Sequence, residues 1–204
     1  MALAPNLARL SETEYLRLER EAEIRSEYFD GEIFAMAGGT RSHSLIATNL
    51  LGELRSRLKA TDCIAYNADL KVKVEATGLL TYPDVSVVCG QQRFLDDQED
   101  TLLNPIVIVE VLSDSTEAYD RGKKFAHYRQ IPSLREYLLV SQHEPRIEQF
   151  IRQPKGEWIL REAAGLDAEI NIQSLGIVLP LSEVFAKVQF TPSPLRANSG
   201  SPPR

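Results

Sequence analysis

The sequence predicts a single α/β domain, α+β in its mixed central β-sheet, with helices on both faces of that sheet. Three observations lead there. Strand-like runs crowd the middle of the chain, segments with helical spacing lie before and after them, and 204 residues suffice for one substantial core with extensions.

Taken in order, Ser11 followed by Glu14 makes a capping box ahead of Tyr15, Leu16 and Leu18, which predicts a short amphipathic helix over residues 12–21. Arg25 to Met36 then reads as two short strands around Asp30-Gly31, the dipeptide that most strongly signals a tight hairpin. Gly38-Gly39 breaks the pattern. With neither a full glycine-rich motif nor a following Lys-Ser/Thr, the pair reads as a hinge or turn and not as a phosphate loop. From Ser42 the residues Leu45, Ile46, Asn49, Leu50, Leu54 and Leu58 recur at helical spacing, giving a helix that ends near Lys59.

The middle gives strands at Cys63–Tyr66, Leu70–Val74, Tyr82–Cys89 and Ile106–Leu112, with Lys71 and Lys73 alternating on what reads as a solvated face. Asp114 with Glu117 makes a second capping box, and the helix it opens runs to near Gln130, where Ile131-Pro132 stops it. Helices 43–59 and 115–130 are expected on opposite faces of the sheet. Glu136–Ser141 is a further strand. Arg146–Gln153 and Glu157–Arg161 alternate apolar and polar residues around Pro154-Lys155-Gly156, as an outer hairpin with one wet face does. A short closing helix is expected over Leu181–Val188, so that residues 1–190 form the domain. Residues 191–204, rich in Pro, Ser and Gly, read as a disordered tail.

Composition excludes several classes. Hydrophobic residues at 43% and charged residues at 25% are globular values, and no apolar run approaches the length of a membrane span. The first residues carry no secretory pattern, so a cytoplasmic protein is expected. Cys63 and Cys89, inside strands and without metal-ligand spacing, are expected to be reduced core residues. A net charge of −6 argues against coating nucleic acid by charge alone, but not against a metal-dependent enzyme, because cation-binding carboxylates add to the negative count.

The chemistry-bearing residues begin with Glu110, a carboxylate inside the apolar run Ile106–Leu112. If that strand lies antiparallel to Tyr82–Cys89, period two places Asp84, Ser86 and Val88 on one face and Ile108, Glu110 and Leu112 on the matching face. Asp84 and Glu110 then meet. Two carboxylates converging at the edge of an apolar sheet repel each other and lose hydration unless a cation lies between them, and Mg2+ prefers such oxygen ligands. The next helix carries Asp120, Lys123, Lys124 and His127, and Asp120 and Lys124 share a face by their i,i+4 spacing. A lysine aimed back over the acids would stabilise charge on a phosphate. Each residue also has a plainer reading: Glu110 as half of a salt bridge, Asp84 as a strand-entry residue, and Asp120 with Lys124 as a surface ion pair.

The joint order decides between them. PD at 83–84, EVLS at 110–113, ST at 115–116, Asp120 with Lys124, Tyr128 and EYLLV at 136–140 together resemble the Uma-two family of endonucleases, of the restriction-endonuclease-like, PD-(D/E)XK superfamily. LSETEYL, DGEIFAMAGGTRSHS at 30–44 and SLGIVLPLSEVF at 174–185 extend the resemblance over nearly the whole chain except the tail. It implies a restriction-endonuclease-like core, with Asp84 and Glu110 as the two metal-binding acids. The lysine expected two residues beyond the second acid is Leu112 here, so Lys124 on the following helix is its better match. Glu32 and His43, in matching segments, are implied as supporting residues with Asp120. His43 is also a natural residue for a helix N-terminus.

The function implied is an endonuclease that hydrolyses DNA with Mg2+ or Mn2+. A nucleic-acid-binding protein that does not cut, or a protein-interaction module, would use the same fold. Because one metal site hydrolyses one strand, a homodimer is expected. The outer hairpin, with Ile147, Phe150, Trp158 and Leu160, is the candidate surface for it.

Overall fold

The computed structural model describes residues 9–36 and 38–190, and the expected tail at 191–204 lies outside the described residues. Helix α1 (Glu12–Glu21) begins as its sequence requires, with the Ser11 hydroxyl accepting from the Glu14 N–H. Strands β1 (Ser26–Phe29) and β2 (Glu32–Ala35) pair antiparallel with Phe29 opposite Glu32, and both turn residues, Asp30 and Gly31, have positive φ (50° and 85°). That is the sign an Asp-Gly hairpin turn demands. Helix α2 (Arg41–Leu58) is capped by Thr40 and buries Ile46, Leu50, Leu54 and Leu58.

Two sheets follow. Strands β3 (Cys63–Asn67), β6 (Val85–Cys89), β8 (Val107–Leu112), β9 (Glu136–Ser141), β10 (Arg146–Arg152) and β11 (Trp158–Ala164) form a six-stranded sheet in the order β11-β10-β9-β8-β6-β3. It is mixed: β8 and β9 are parallel, and every other pair is antiparallel. The smaller sheet is β2-β1-β5-β4-β7, adding β4 (Lys71–Val74), β5 (Leu79–Thr81) and β7 (Thr101–Leu102). Strands β12 (Glu169–Ile172) and β13 (Ile177–Pro180), which the sequence reading did not separate, pair with each other ahead of α5 (Leu181–Val184).

Alternation divides the core cleanly. Val85, Val87, Val107, Val109 and Val111 face α2, whereas Val88, Ile108 and Leu112 face Tyr128, Ile131 and Leu134 on the other side. The parallel pair β8–β9 needs a crossover, and it is helical: α3 (Glu117–Tyr119), a π-turn over Asp120–Lys124, and α4 (Phe125–Tyr128). The second face of the six-stranded sheet therefore lies under this crossover, with β4 and β5 of the smaller sheet packed alongside.

Four expectations need correction. Cys63 and Cys89 stand directly opposite each other on β3 and β6 and are joined as a disulfide (S–S 1.93 Å), because the register of this pair leaves no other residue between the two sulfurs. Lys71 and Lys73 do not form a solvated face. Lys71 is buried against Asp100 (3.1 Å) and Lys73 reaches Glu12 on α1 (2.5 Å), since β4 is an inner strand of its sheet. Asp114 does not cap the crossover helix. The Ser113 hydroxyl accepts from the Thr116 N–H, and Asp114 is turned outward to His143 (2.7 Å). In the outer hairpin, Ile147 is fully buried and Phe150 and Trp158 pack on the core, so Leu160, with Ile159, is what the β11 edge exposes. Among the described residues no helix is long and apolar enough to cross a membrane.

Candidate active site

The register of β6 on β8 pairs Val85 with Val109, so the next step outward sets Asp84 opposite Glu110, on the face that also carries Val88, Ile108 and Leu112. Each acid is held differently. Asp84 accepts a hydrogen bond from the Val111 N–H (2.7 Å), and its Oδ2 lies 3.2 Å from Nε2 of His43, in the first turn of α2. Burial opposes charge on His43, but the bond to Asp84 prevails and raises its pKa above the ordinary value. Gly39 makes that placement feasible: a Cβ there would sit 2.8 Å from the His43 ring, closer than atoms tolerate.

Glu110 is 4% exposed and accepts from the Tyr128 hydroxyl (2.8 Å). Lys124 Nζ lies 3.0 Å from it, 3.0 Å from Glu27 and 3.6 Å from Asp120. Burial pushes the Glu110 carboxyl up to about 8, against the pull of Lys124, with Asp120 and Asp84 adding to the rise. Burial raises Asp120 as well, again against Lys124. Lys124 itself is buried, which works against its charge, yet the surrounding carboxylates hold its pKa well above the ordinary lysine value. One ammonium shared by three acids cannot neutralise all of them, so the neighbouring acids add to a rise that burial causes.

The π-turn sets the phase of this contact. It widens the helix where Asp120 and Lys124 turn inward, and the Tyr137 hydroxyl donates to the Asp120 carbonyl (3.1 Å), satisfying an acceptor inside the turn. Lys123, next along the chain, is exposed at the rim.

Above these groups opens a cleft of about 1480 Å³, lined by the β1–β2 hairpin, the start of α2, the crossover helix and the strand ends carrying Asp84 and Glu110. The structure thus brings Asp84, Glu110, Asp120, Lys124 and His43 to one cleft. Glu32 lines the cleft but is exposed on β2, and it makes no ion pair among the described residues. Glu27 is the residue the sequence reading missed. It lies on the smaller sheet, takes a hydrogen bond from Thr81 and meets Lys124 across the cleft. Its only sequence signal is the alternation of Ser26–Phe29, which separates Glu27 and Phe29 from the inward-facing Ser26 and Tyr28.

This mixed sheet, with one acid at a strand entry, a second on the neighbouring strand and a buried lysine from the parallel crossover, is a restriction-endonuclease-like architecture. The chain belongs to the Uma2 family, described as "Putative restriction endonuclease", whose model matches residues 13–182. Two relatives from Synechocystis sp. are similar over most of their length. The "Uncharacterized protein slr1290" is 37% identical over 184 residues, 89% of this chain and 94% of the relative. The "Uncharacterized protein sll1609" is 33% identical over 168 residues, 82% and 95% respectively. Among solved structures, "a putative nuclease belonging to DUF820" from Anabaena variabilis shares the fold with a TM-score of 0.68, at 20% identity over 85% of this chain and 96% of that one.

Proposed function

We propose that the protein is an endonuclease that hydrolyses phosphodiester bonds of DNA with a divalent cation, Mg2+ or Mn2+, held by Asp84 and Glu110. The observation that carries this reading is the convergence of two acids from adjacent strands with Lys124 on the floor of an open cleft. The donor set fits a hard cation: both groups offer carboxylate oxygens, and burial, with Asp120 and Asp84 adding to it, holds the Glu110 carboxyl up at about 8, a penalty on its charged form that a divalent ion would offset. When bound, such a cation polarises the phosphate and favours deprotonation of water.

The chain's own residues supply the rest. Lys124 has three N–H donors, and with two acceptors at 3.0 Å and the third at 3.6 Å it keeps donor capacity for a phosphate oxygen. Glu27, from the smaller sheet, and Asp120, one turn earlier on the crossover, hold that ammonium in place. The Val111 N–H and His43 fix Asp84, so that its carboxylate need not reorganise on binding. Incubating the purified protein with plasmid and single-stranded DNA, with and without Mg2+ or Mn2+, tests the reading. Cation-dependent cutting is expected, and its absence from wild-type protein on every substrate overturns it. Cutting both strands of a duplex would require a homodimer, for which the β11 edge with Ile159 and Leu160 offers a surface. A monomer in light scattering, with and without DNA, limits the protein to one strand.

A further inference from the structure

The cleft is acidic. Eight carboxylates line it against three lysine and arginine side chains, Arg25, Lys123 and Lys124, with His43 already paired to Asp84, His127 packed on Phe29 and Lys124 shared among acids. Duplex DNA presents about one phosphate charge per 1.7 Å of axis, and proteins that hold it by neutralising phosphates do so with several exposed lysines or arginines. One bound divalent cation offsets two of these charges and still leaves carboxylates in excess. Affinity for a nucleic acid in this cleft has to come from contacts other than charge.

The β1–β2 hairpin supplies such contacts. Phe34 is the cross-strand partner of Glu27, so both side chains stand on the same face of the hairpin, and Glu27 is the carboxylate that meets Lys124. Phe29, two residues beyond Glu27 on that face, packs edge-on against His127 with ring centroids 4.7 Å apart. Phe34 has no such cover. It is 49% exposed within the cleft lining, and Ile24 at the rim is 68% exposed. The opposite face of the hairpin is fixed, because Tyr28 stacks on Tyr15 of α1 at 4.9 Å and donates to the Leu10 carbonyl. Phe34 is therefore an open aromatic surface on a held backbone, one cross-strand step from the residue that grips Lys124.

We propose that the substrate strand taken into this cleft is unpaired nucleic acid, with a base stacked on Phe34. The proposal rests on the nuclease reading above and names its substrate class. Aromatic stacking is sequence-tolerant and needs a base face that is not covered by its neighbours, which a splayed single strand offers and a closed duplex does not. It also places the base beside Glu27 and the phosphate chain toward Lys124.

The test separates binding from cleavage. Binding is measured by fluorescence anisotropy with labelled oligonucleotides of one sequence, single-stranded and duplex, using Glu110→Gln protein in Mg2+ so that the strand is preserved. The single strand is expected to bind at least tenfold more tightly than the duplex. Adding Phe34→Ala should weaken single-strand binding by roughly tenfold or more, while Phe34→Trp retains it. Cleavage by wild-type protein should show the same strand preference. Duplex binding and cutting as good as single-strand binding and cutting overturns the proposal and leaves the nuclease reading intact. Binding of neither form removes both. Because β2 is an edge strand, a second copy of the chain is the rival occupant of Phe34. A dimer that Phe34→Ala converts to a monomer, with single-strand binding unchanged, also overturns the proposal.

Discussion

Glu110→Gln separates the energetic burden of a buried carboxylate from its use. In the cation-free protein burial pushes the Glu110 pKa up to about 8 from the ordinary 4.5, because it disfavours the charged form. The stability this group contributes is fully present below pH 4.5 and is lost as the pH rises toward 8, where the folded protein must bear a buried charge that the unfolded chain hydrates freely. At about 1.4 kcal/mol per pH unit, the full shift corresponds to at most about 5 kcal/mol. Glutamine keeps the shape and removes the charge, but it also withdraws one of the three acids around Lys124. A net gain of about 2 kcal/mol for the variant at pH 8.5 is therefore expected, shrinking to near zero at pH 4.5. Urea denaturation of both proteins in EDTA across that range measures it. Added Mg2+ should stabilise the wild type and leave Glu110→Gln nearly unchanged, and cleavage should be lost in the variant. Parallel stability curves for the two proteins would show that Glu110 carries no buried charge, and equal cutting rates would make it purely structural.

Lys124→Ala should reduce cleavage by at least a hundredfold while Lys123→Ala changes it less than threefold, because only Lys124 is buried among the acids; initial rates decide this, and equal losses would contradict the observed helix phase. Gly39→Ala should displace the His43 ring from Asp84, lowering the His43 pKa toward its ordinary value, which a histidine NMR titration reads directly.

What the sequence showed depended on how local the cause was. The Asp30-Gly31 turn and the Ser11 cap follow from nearest neighbours. Period two on β6 and β8 placed Asp84 and Glu110 on one face because both strands are regular and directly paired. Glu27 was not legible: it reaches Lys124 only because a second sheet closes over the first, a contact between residues far apart in the chain that no period records. The Cys63–Cys89 bond failed for a similar reason, since strand register, not spacing, puts the two sulfurs opposite each other. Lys71 was read as wet because alternation reports a face but not what covers it, and here Asp100 does. The helical wheel brought Asp120 and Lys124 together, yet it could not foresee that the turn between them is a π-turn.

That turn makes the crossover intolerant of changes in length. A π-turn holds one residue more than the α-turn it replaces, so deleting one residue between Asp120 and Lys124 would close the widened turn to a regular helix and change the spacing of the two side chains from i,i+4 to i,i+3. The Asp120 carbonyl would then be drawn into the tighter helix and away from the Tyr137 hydroxyl, and the placement of Asp120 and Lys124 against Glu110 would be lost. The Pro154-Lys155-Gly156 tip of the outer hairpin is exposed and far along the sheet from Glu110, and there a residue can be gained or lost without moving any group of the site. Insertions and deletions among natural variants of this chain should accordingly gather at that tip and be missing from residues 120–124.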